Sequence, residues 1–247
     1  METVLIDRFY ALSHQGLVRS SNQDHILTDE ALGLWAVADG MGGHCSGDIA
    51  SRMACEVLRR SISQRRNLVV AFEQAHAAVR VMQERDPAMF DMGTTLVAVL
   101  ESDVGFELAW VGDSRAYLFS PKNEDCQNGQ LQLLTSDQNV ASRLFERGEI
   151  TADQARNHPH RNVLTDCIGQ REGEPRIESK SIRWEKGDCL LLCSDGLSGE
   201  VDATDLQEIM ASNRSLDLIG QSLVNRALSA GGGDNIAVVL LHATAAT

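Results

Sequence analysis

Residues 34–40 read LWAVADG, an apolar run that ends in an aspartate and a glycine. Short apolar runs bounded by turn residues are typical of buried strands. The arrangement recurs in residues 190–196 (LLLCSDG), 106–114 (FELAWVGDS) and 233–240 (GDNIAVVL). Several such strands joined by short turns predict antiparallel sheets.

An aspartate lies at the end of each of these runs: Asp39, Asp113, Asp195 and Asp234. Asp-Gly is also a common turn dipeptide, so each one has a structural explanation by itself. Carboxylates that converge at the ends of buried strands repel one another unless a cation lies between them. We therefore interpret the four aspartates as ligands of a hard divalent cation such as Mg²⁺ or Mn²⁺.

Helical periodicity separates these strands. It predicts a helix that begins at Ser46 or Gly47, with further helices over 68–84, 140–147, 203–211 and 216–228. Further strands are predicted over 94–100, 106–111, 116–119, 131–134, 176–183 and 189–193. Antiparallel strands with helices segregated from them indicate an α+β layered sandwich.

No Pro/Gly/Ser-rich linker divides the chain, which has 4 prolines, and the candidate ligands extend across both halves. We therefore predict a single domain over residues 1–247. Residues 136–171 differ in character, because they are polar and contain a possible capping box at Thr151 and Gln154. We interpret them as an insert.

The charge balance argues against nucleic acid as a partner. The net charge is −13, and affinity for phosphate backbones comes from basic surface. The densest basic segments are the pairs at 59–60 and 65–66, which follow a helical pattern. We assign these arginines to the dipole at the end of that helix.

The 6 cysteines lack zinc-type spacing. Cys189 and Cys193 fall on one face of a predicted strand, so we interpret them as reduced core residues. The N-terminus lacks the pattern of a signal peptide, and no apolar run approaches membrane length. We expect a cytoplasmic monomer without a membrane partner.

Residues 15–24, QGLVRSSNQD, supply a cation that suits a phosphate. The planar fork of Arg19 matches two phosphate oxygens, and Asp24 adds a fifth candidate carboxylate. The alternative is a polar loop without a ligand.

Seven segments together resemble the metal-dependent protein phosphatase family, type 2C, in its bacterial form. They are residues 16–24, 37–44, 93–96, 111–117, 134–137, 191–197 and 234–236, in the order of the family motifs. The resemblance implies a four-layer α/β/β/α sandwich, in which helices flank two antiparallel sheets. It also implies hydrolysis of phosphoserine and phosphothreonine on proteins by metal-activated water, and that residues 136–171 are a mobile flap beside the active site.

The resemblance implies roles for the two core Mn²⁺ or Mg²⁺ ions. Asp39 would bridge both ions, and the Gly40 carbonyl would bind the second. Asp195 and Asp234 would complete the coordination of the first ion, and Asp24 would bind the second ion through water.

Asp113, together with Asp195, would hold the third ion of bacterial members. Arg19 would bind the phosphate while water attacks phosphorus in line, and no phosphoenzyme forms. Arg19 and Asp39 are thus the predicted catalytic residues.

Two positions depart from the family pattern. Met41 stands where many eukaryotic members carry a histidine that protonates the leaving group, and His44 is another candidate acid. Gln138 follows Asp137 where the family has Asp-His. The segment at 158–162, HPHRN, resembles the family flap, and we assign its histidines to loop packing rather than to a metal.

The residues leave the physiological substrate open. Compact members of this kind oppose bacterial Ser/Thr kinases, and one subgroup controls type VI secretion. An antagonist in a sigma-factor partner switch is the alternative. A hydrolase of small phosphate esters would share the chemistry, but no Walker-type loop supports it. A silent phosphoprotein-binding module conflicts with the presence of all five carboxylates.

Overall fold

The computed structural model describes residues 4–43, 46–102, 105–121, 129–212 and 214–245. Within these residues the strands are β1 (Val4–His14), β2 (Asp24–Asp29), β3 (Leu34–Met41), β4 (Gly93–Thr94), β5 (Leu96–Ser102), β6 (Gly105–Val111), β7 (Arg115–Ser120), β8 (Gln130–Leu133), β9 (Glu178–Ile182), β10 (Cys189–Cys193) and β11 (Ile236–Ala245). The α-helices are α1 (Ser46–Ser63), α2 (Leu68–Arg85), α3 (Val140–Glu146), α4 (Ala152–Arg156), α5 (Asp195–Ser198), α6 (Ala203–Met210) and α7 (Leu216–Ala230). A short 3₁₀-helix spans Pro87–Met89.

The strands form two antiparallel sheets, ordered β1-β11-β10-β7-β8 and β2-β3-β5-β6-β9, and β4 pairs with β3. Both faces of each sheet are covered. In β3, for example, Trp35 and Val37 pack between the sheets, whereas Leu34, Ala36 and Ala38 pack against α1 and α2. On the far side of the other sheet, α6 and α7 close a third apolar layer. The predicted α+β sandwich of two antiparallel sheets flanked by helices is confirmed.

The helices start where their capping residues predict. Helix α1 begins at Ser46, and α2 is capped by Asn67, whose side chain accepts from the Val70 N–H. The capping box of Thr151 and Gln154 is formed at α4. Within the described part of the chain, none of the helices is long and apolar enough to cross a membrane.

Two strands and one α-helix were missed from the sequence. Strand β1 lies at a sheet edge and pairs only with β11 among the described residues, and polar residues at 7–8 and 13–14 interrupt its apolar sequence. Strand β2 is short and begins and ends with Asp24 and Asp29. Helix α5 has four residues, too few for a period. The strand predicted over 94–100 is divided at Thr95 into β4 and β5.

The cysteine prediction holds for the described residues. Cys55, Cys189 and Cys193 are buried free thiols, and Cys167 is free and partly buried. Burial raises the pKa of Cys55, Cys189 and Cys193 to about 12, which keeps these thiols protonated. The cysteines at 45 and 126 lie outside the described residues.

The insert at 136–171 connects β8 to β9 and is closed at its base by backbone pairing. The Val140 N–H donates to the Val163 carbonyl (2.9 Å), and the Thr165 N–H donates to the Gln138 carbonyl (2.8 Å). This pairing fixes the base of the insert beside the ends of the central strands.

Candidate metal centre and phosphate-binding cleft

All of the predicted ligands except Asp24 line one cleft of about 440 Å³, which we call the acidic cleft. Its lining includes Arg19, Asp39, Gly40, Asp113, Asp195 and Asp234, together with Met41 and, from the insert, Asn162 and Leu164. The structure thus brings together carboxylates that are almost 200 residues apart in sequence. The candidate acid His44 lies outside the described residues.

Strands β2 and β3 place Asp24 opposite Asp39. The two residues are partners in the antiparallel register, so their side chains share a face with Cβ atoms about 5 Å apart. The backbone of Asp39 is fixed by Thr95. The Asp39 N–H donates to Thr95 Oγ1 (2.9 Å), and the Thr95 N–H donates to the Asp39 carbonyl (2.9 Å). The carboxylate of Asp39 therefore projects from a rigid strand end.

Gly40 has a packing reason to be glycine. A Cβ atom at this position would lie 2.1 Å from the Gly47 carbonyl oxygen and 2.6 Å from that of Gln23. No side chain fits between the end of β3 and the start of α1. The role of the Gly40 carbonyl as a metal ligand stays a prediction.

Asp195 and Asp234 enter the cleft from the other sheet. Asp195 lies two residues after the end of β10, Asp234 lies two residues before β11, and these two strands are adjacent. The loops approach so closely that a Cβ atom at Gly196 would lie 1.9 Å from the Asn235 carbonyl oxygen. Glycine at 196 is therefore required to bring the two aspartates together.

Asn235 holds the Arg19 loop against the cleft, a role that the sequence analysis missed. Its Oδ1 accepts from the Gln23 N–H (2.8 Å), and its Nδ2 donates to the carbonyls of Gln15 (2.8 Å) and Ser21 (2.9 Å). One amide side chain thus connects both ends of the loop to the start of β11. The position of Asn235 directly after the candidate ligand Asp234 was the sequence signal that could have indicated this role.

Ser194 is a second missed residue. Its Oγ donates to Asp24 Oδ2 (2.7 Å) and accepts from the Ala237 N–H (2.9 Å). The hydroxyl connects the two sheets at the cleft, because Asp24 belongs to one sheet and Ala237 to the other. Ser194 fixes one oxygen of Asp24 and leaves the other for a ligand.

Asp113 follows a turn that requires glycine, since Gly112 has φ +102°. The Gly112 N–H donates to Gln138 Oε1 (2.8 Å), and the Gln138 N–H donates to the Gly112 carbonyl (3.0 Å). Beside Asp113, the Ser114 and Thr95 hydroxyls are 2.7 Å apart. The glutamine that departs from the family pattern is therefore a support of the Asp113 turn.

The carboxylates raise one another's pKa. Burial, and then the charges of Asp195 and Asp234, raise the pKa of Asp24 to about 7 against the opposing hydrogen bond from Ser194. Burial is also the main cause that raises the pKa of Asp39, Asp113 and Asp195, followed by the charges of neighbouring aspartates. The charges of Arg19 and Arg115 offset this repulsion only in part.

The residues present fit hard divalent cations. The Oδ1 atoms of Asp24 and Asp195 are buried without a hydrogen-bond partner. Such orphaned carboxylate oxygens are the ligands that Mn²⁺ and Mg²⁺ prefer. Within the described part of the chain, no group of three His, Cys, Asp or Glu side chains is arranged to hold a metal ion. The other oxygen of Asp24, for example, accepts from Ser194.

Arg19 and Asp234 are paired with each other, which the sequence analysis did not predict. Arg19 Nε lies 2.7 Å from Asp234 Oδ1, and Nη2 lies 2.6 Å from Oδ2. The Arg19 side chain is 57% exposed and that of Asp234 is 35% exposed. The guanidinium of Arg19, which the sequence analysis assigned to phosphate, thus binds the carboxylate of Asp234, which it assigned to a metal.

The histidines of the insert have a local partner. The His160 N–H donates to His158 Nδ1 (3.1 Å), and the two rings lie 5.6 Å apart on the exposed part of the insert. Two residues later in the same segment, Asn162 reaches the acidic cleft.

Comparisons with family models and with known proteins agree on one family. Residues 14–230 match the protein phosphatase 2C family. The chain is 34% identical over 241 residues to the serine/threonine phosphatase stp of Listeria monocytogenes serotype 4b, with 92% of each chain covered.

Two solved structures share the fold. The catalytic domain of the serine threonine protein phosphatase PstP, in complex with two manganese ions, is 30% identical with a TM-score of 0.82 and covers 99% of this chain and 100% of its own. PppA, a key regulatory component of the type VI secretion system in Pseudomonas aeruginosa, is 29% identical with a TM-score of 0.81 and covers 98% and 99%. The chain therefore belongs to the protein phosphatase 2C family.

Proposed function

We propose that this protein is a metal-dependent protein serine/threonine phosphatase that removes phosphate from phosphoserine and phosphothreonine. Four aspartates and Arg19 line one cleft, and Asp24 lies opposite Asp39 beside it; this convergence carries the proposal. Neither a phosphate-binding module nor a structural domain needs buried carboxylate oxygens without partners.

We propose that Asp39, Gly40, Asp195, Asp234 and Asp24 hold two core ions of Mn²⁺ or Mg²⁺. The register pairing of Asp24 with Asp39 and the adjacent entry of the other two aspartates support this set. When bound, the ions supply Lewis-acid chemistry and a nucleophile at neutral pH.

We propose that Asp113 and Asp195 hold a third ion. Asp195 is the first neighbouring charge that raises the pKa of Asp113, and Asp113 lies on a separate turn from the core set. The charge of Arg115 partly offsets this repulsion. A third ion would therefore meet less negative charge than the core ions do.

We propose that Arg19 exchanges Asp234 for the phosphate of the substrate. An ion pair with this much exposure is worth only about 0–1 kcal/mol, so the exchange costs little. The planar fork that now holds a carboxylate matches two phosphate oxygens equally well. Arg19 would then orient the phosphate, while Asp234 turns into the cleft.

We propose that the substrates are phosphoproteins of a bacterial Ser/Thr kinase and that the protein works in the cytoplasm. The buried free thiols at Cys55, Cys189 and Cys193 suit a reducing compartment. The likeness to PppA adds type VI secretion as a candidate process, besides a sigma-factor partner switch. A phosphoproteome comparison with and without this protein distinguishes these processes.

Hydrolysis of p-nitrophenyl phosphate tests the proposed function. We expect activity with added Mn²⁺ or Mg²⁺ and none with EDTA, and full activity after chelation would contradict the metal mechanism. Rates on a phosphothreonine peptide and on small phosphate metabolites, measured side by side, then separate a protein phosphatase from a small-ester hydrolase.

A further inference from the structure

Three exposed arginines lie at the C-terminal end of α1. Arg60, Arg65 and Arg66, which we call the distal arginine patch, are exposed, and among the described residues no carboxylate lies within ion-pair distance of their guanidinium groups. Elsewhere on the same helix, Arg59 pairs with Asp29 and Arg52 with Asp48. The patch is thus a concentration of unpaired positive charge on a chain with net charge −13.

Arg65 has an unusual backbone. Its φ is +60°, and among the described residues it is the only non-glycine residue with positive φ. The Arg65 N–H donates to the Ile62 carbonyl (2.8 Å), and the Arg66 N–H donates to that of Ser61 (3.2 Å), so Arg65 occupies the left-handed position that ends a helix. Glycine is the usual residue there, because a side chain is strained. Attraction to the helix dipole explains a nearby cation, but it does not require an arginine at the strained position.

The patch lies far from the acidic cleft, at the opposite end of α1. The helix starts beside the cleft, where Ser46 Oγ donates to the Gly43 carbonyl (2.6 Å) and the adjacent Gly42 lines the cleft. It has 18 residues, so its two ends are separated by about 25 Å. A substrate segment would need at least about eight extended residues to span this distance.

We propose that the distal arginine patch docks an acidic or phosphorylated segment of the phosphoprotein substrate while the phosphorylated residue occupies the cleft. This rests on the proposed function. A strongly acidic enzyme repels acidic substrates, and a local cluster of guanidinium groups offsets this repulsion and orients the approach. Each guanidinium also offers a fork for carboxylate or phosphate oxygens.

Peptides with a tethered acidic tract test the docking distance. A phosphothreonine peptide is joined to a tract of three glutamates by a Gly-Ser linker of about two or about twenty residues. With the shorter linker the whole tract stays within about 18 Å of the phosphothreonine, so only the longer linker lets it reach about 25 Å. At low salt we expect the long-linker peptide to have a KM about fivefold below that of the short-linker peptide. The triple variant R60Q/R65Q/R66Q should lose this advantage, and so should the wild type at high salt.

A second triple variant controls for net charge. R85Q/R183Q/R214Q removes three exposed arginines elsewhere and should keep the linker advantage. R65G should relieve the backbone strain, so it should keep or raise the melting temperature while it weakens docking. All variants should hydrolyse p-nitrophenyl phosphate like the wild type; if the wild type itself does not, the proposed function fails rather than the docking surface.

Three results would overturn the proposal. The first is an equal KM for both linkers in the wild type, and the second is a linker advantage that survives in R60Q/R65Q/R66Q. The third is binding to anionic lipid vesicles that is lost in this variant without any change in peptide KM, which would assign the patch to a membrane surface.

Discussion

Two sets of buried aspartates differ in their partners. Asp166 accepts from the Arg176 N–H and the Thr165 hydroxyl (both 3.0 Å), and Asp188 accepts from the Glu185 N–H (2.8 Å). Asp24 and Asp39 instead face each other, and Asp24 Oδ1 has no hydrogen-bond partner. Asp24 is as buried as Asp166 and Asp188, so burial alone does not mark the site. Carboxylates that face one another and keep an oxygen without a donor do.

Substitution of Asp39 should have the largest effect. We expect Asp39→Asn to lower kcat with Mn²⁺ by about 10³-fold or more, because this residue lies at the centre of the proposed ligand set. Asp188→Asn removes the same charge from a satisfied position and should keep nearly the full rate. Steady-state kinetics on p-nitrophenyl phosphate measure both, and equal losses would remove the distinction between the two sets.

The stability of the metal-free protein should fall as pH rises. The folded-state pKa of Asp24 is about 7, above its usual value of 3.8, so the folded protein holds a proton that the unfolded chain has released. Stability therefore falls as pH rises between these two values. In EDTA we expect the free energy of unfolding to drop by about 2 kcal/mol between pH 5 and pH 8.

Urea unfolding of wild type and Asp24→Asn at both pH values checks this prediction. The variant should show a smaller drop, since it lacks the titrating carboxyl. The same drop in both proteins would show that Asp24 is not the source.

Removal of a repelling carboxylate should stabilise the metal-free protein. We expect Asp24→Asn to raise the free energy of unfolding in EDTA at pH 8 by about 1 kcal/mol or more. Asp166→Asn should lower it by about 1 kcal/mol, because the Arg176 N–H loses a charged acceptor. Chemical denaturation of the two variants compares the two sets of aspartates directly. A lower free energy of unfolding in both variants would contradict the proposed difference between the sets.

Asp113 should have the smallest effect on rate. We expect Asp113→Ala to keep Mn²⁺ binding at the core ions and to slow turnover about tenfold, since this carboxylate is proposed to serve only the third ion. Turnover as a function of Mn²⁺ concentration measures it. Unchanged kinetics would remove the third ion from the account.

Much of the fold followed from periodicity and turn chemistry. Continuous apolar runs predicted β3, β10 and β11, because both faces of these strands are covered. The edge strand β1 was not predicted, because polar residues interrupt its apolar sequence. Helix α5 was not predicted, because it is too short to show a helical period. Edge position and element length, rather than composition, limited the prediction.

The candidate ligands were visible in the sequence, but their partners were not. Four of the aspartates lie beside an apolar run, which is a local signal, and Asp24 follows Arg19 in a polar segment. The pairing of Arg19 with Asp234 joins residues 215 positions apart, and Asn235 reaches Gln23 across a similar distance. Only the packing of the two sheets brings these groups together.

Calorimetric titration of the metal-free protein with Mn²⁺ tests the central claim most directly. We predict that the wild type and Asp188→Asn both bind two core ions, and that Asp39→Asn loses this binding. The absence of Mn²⁺ binding by the wild type, or equal binding by Asp39→Asn, would contradict the assignment of the acidic cleft as a metal centre.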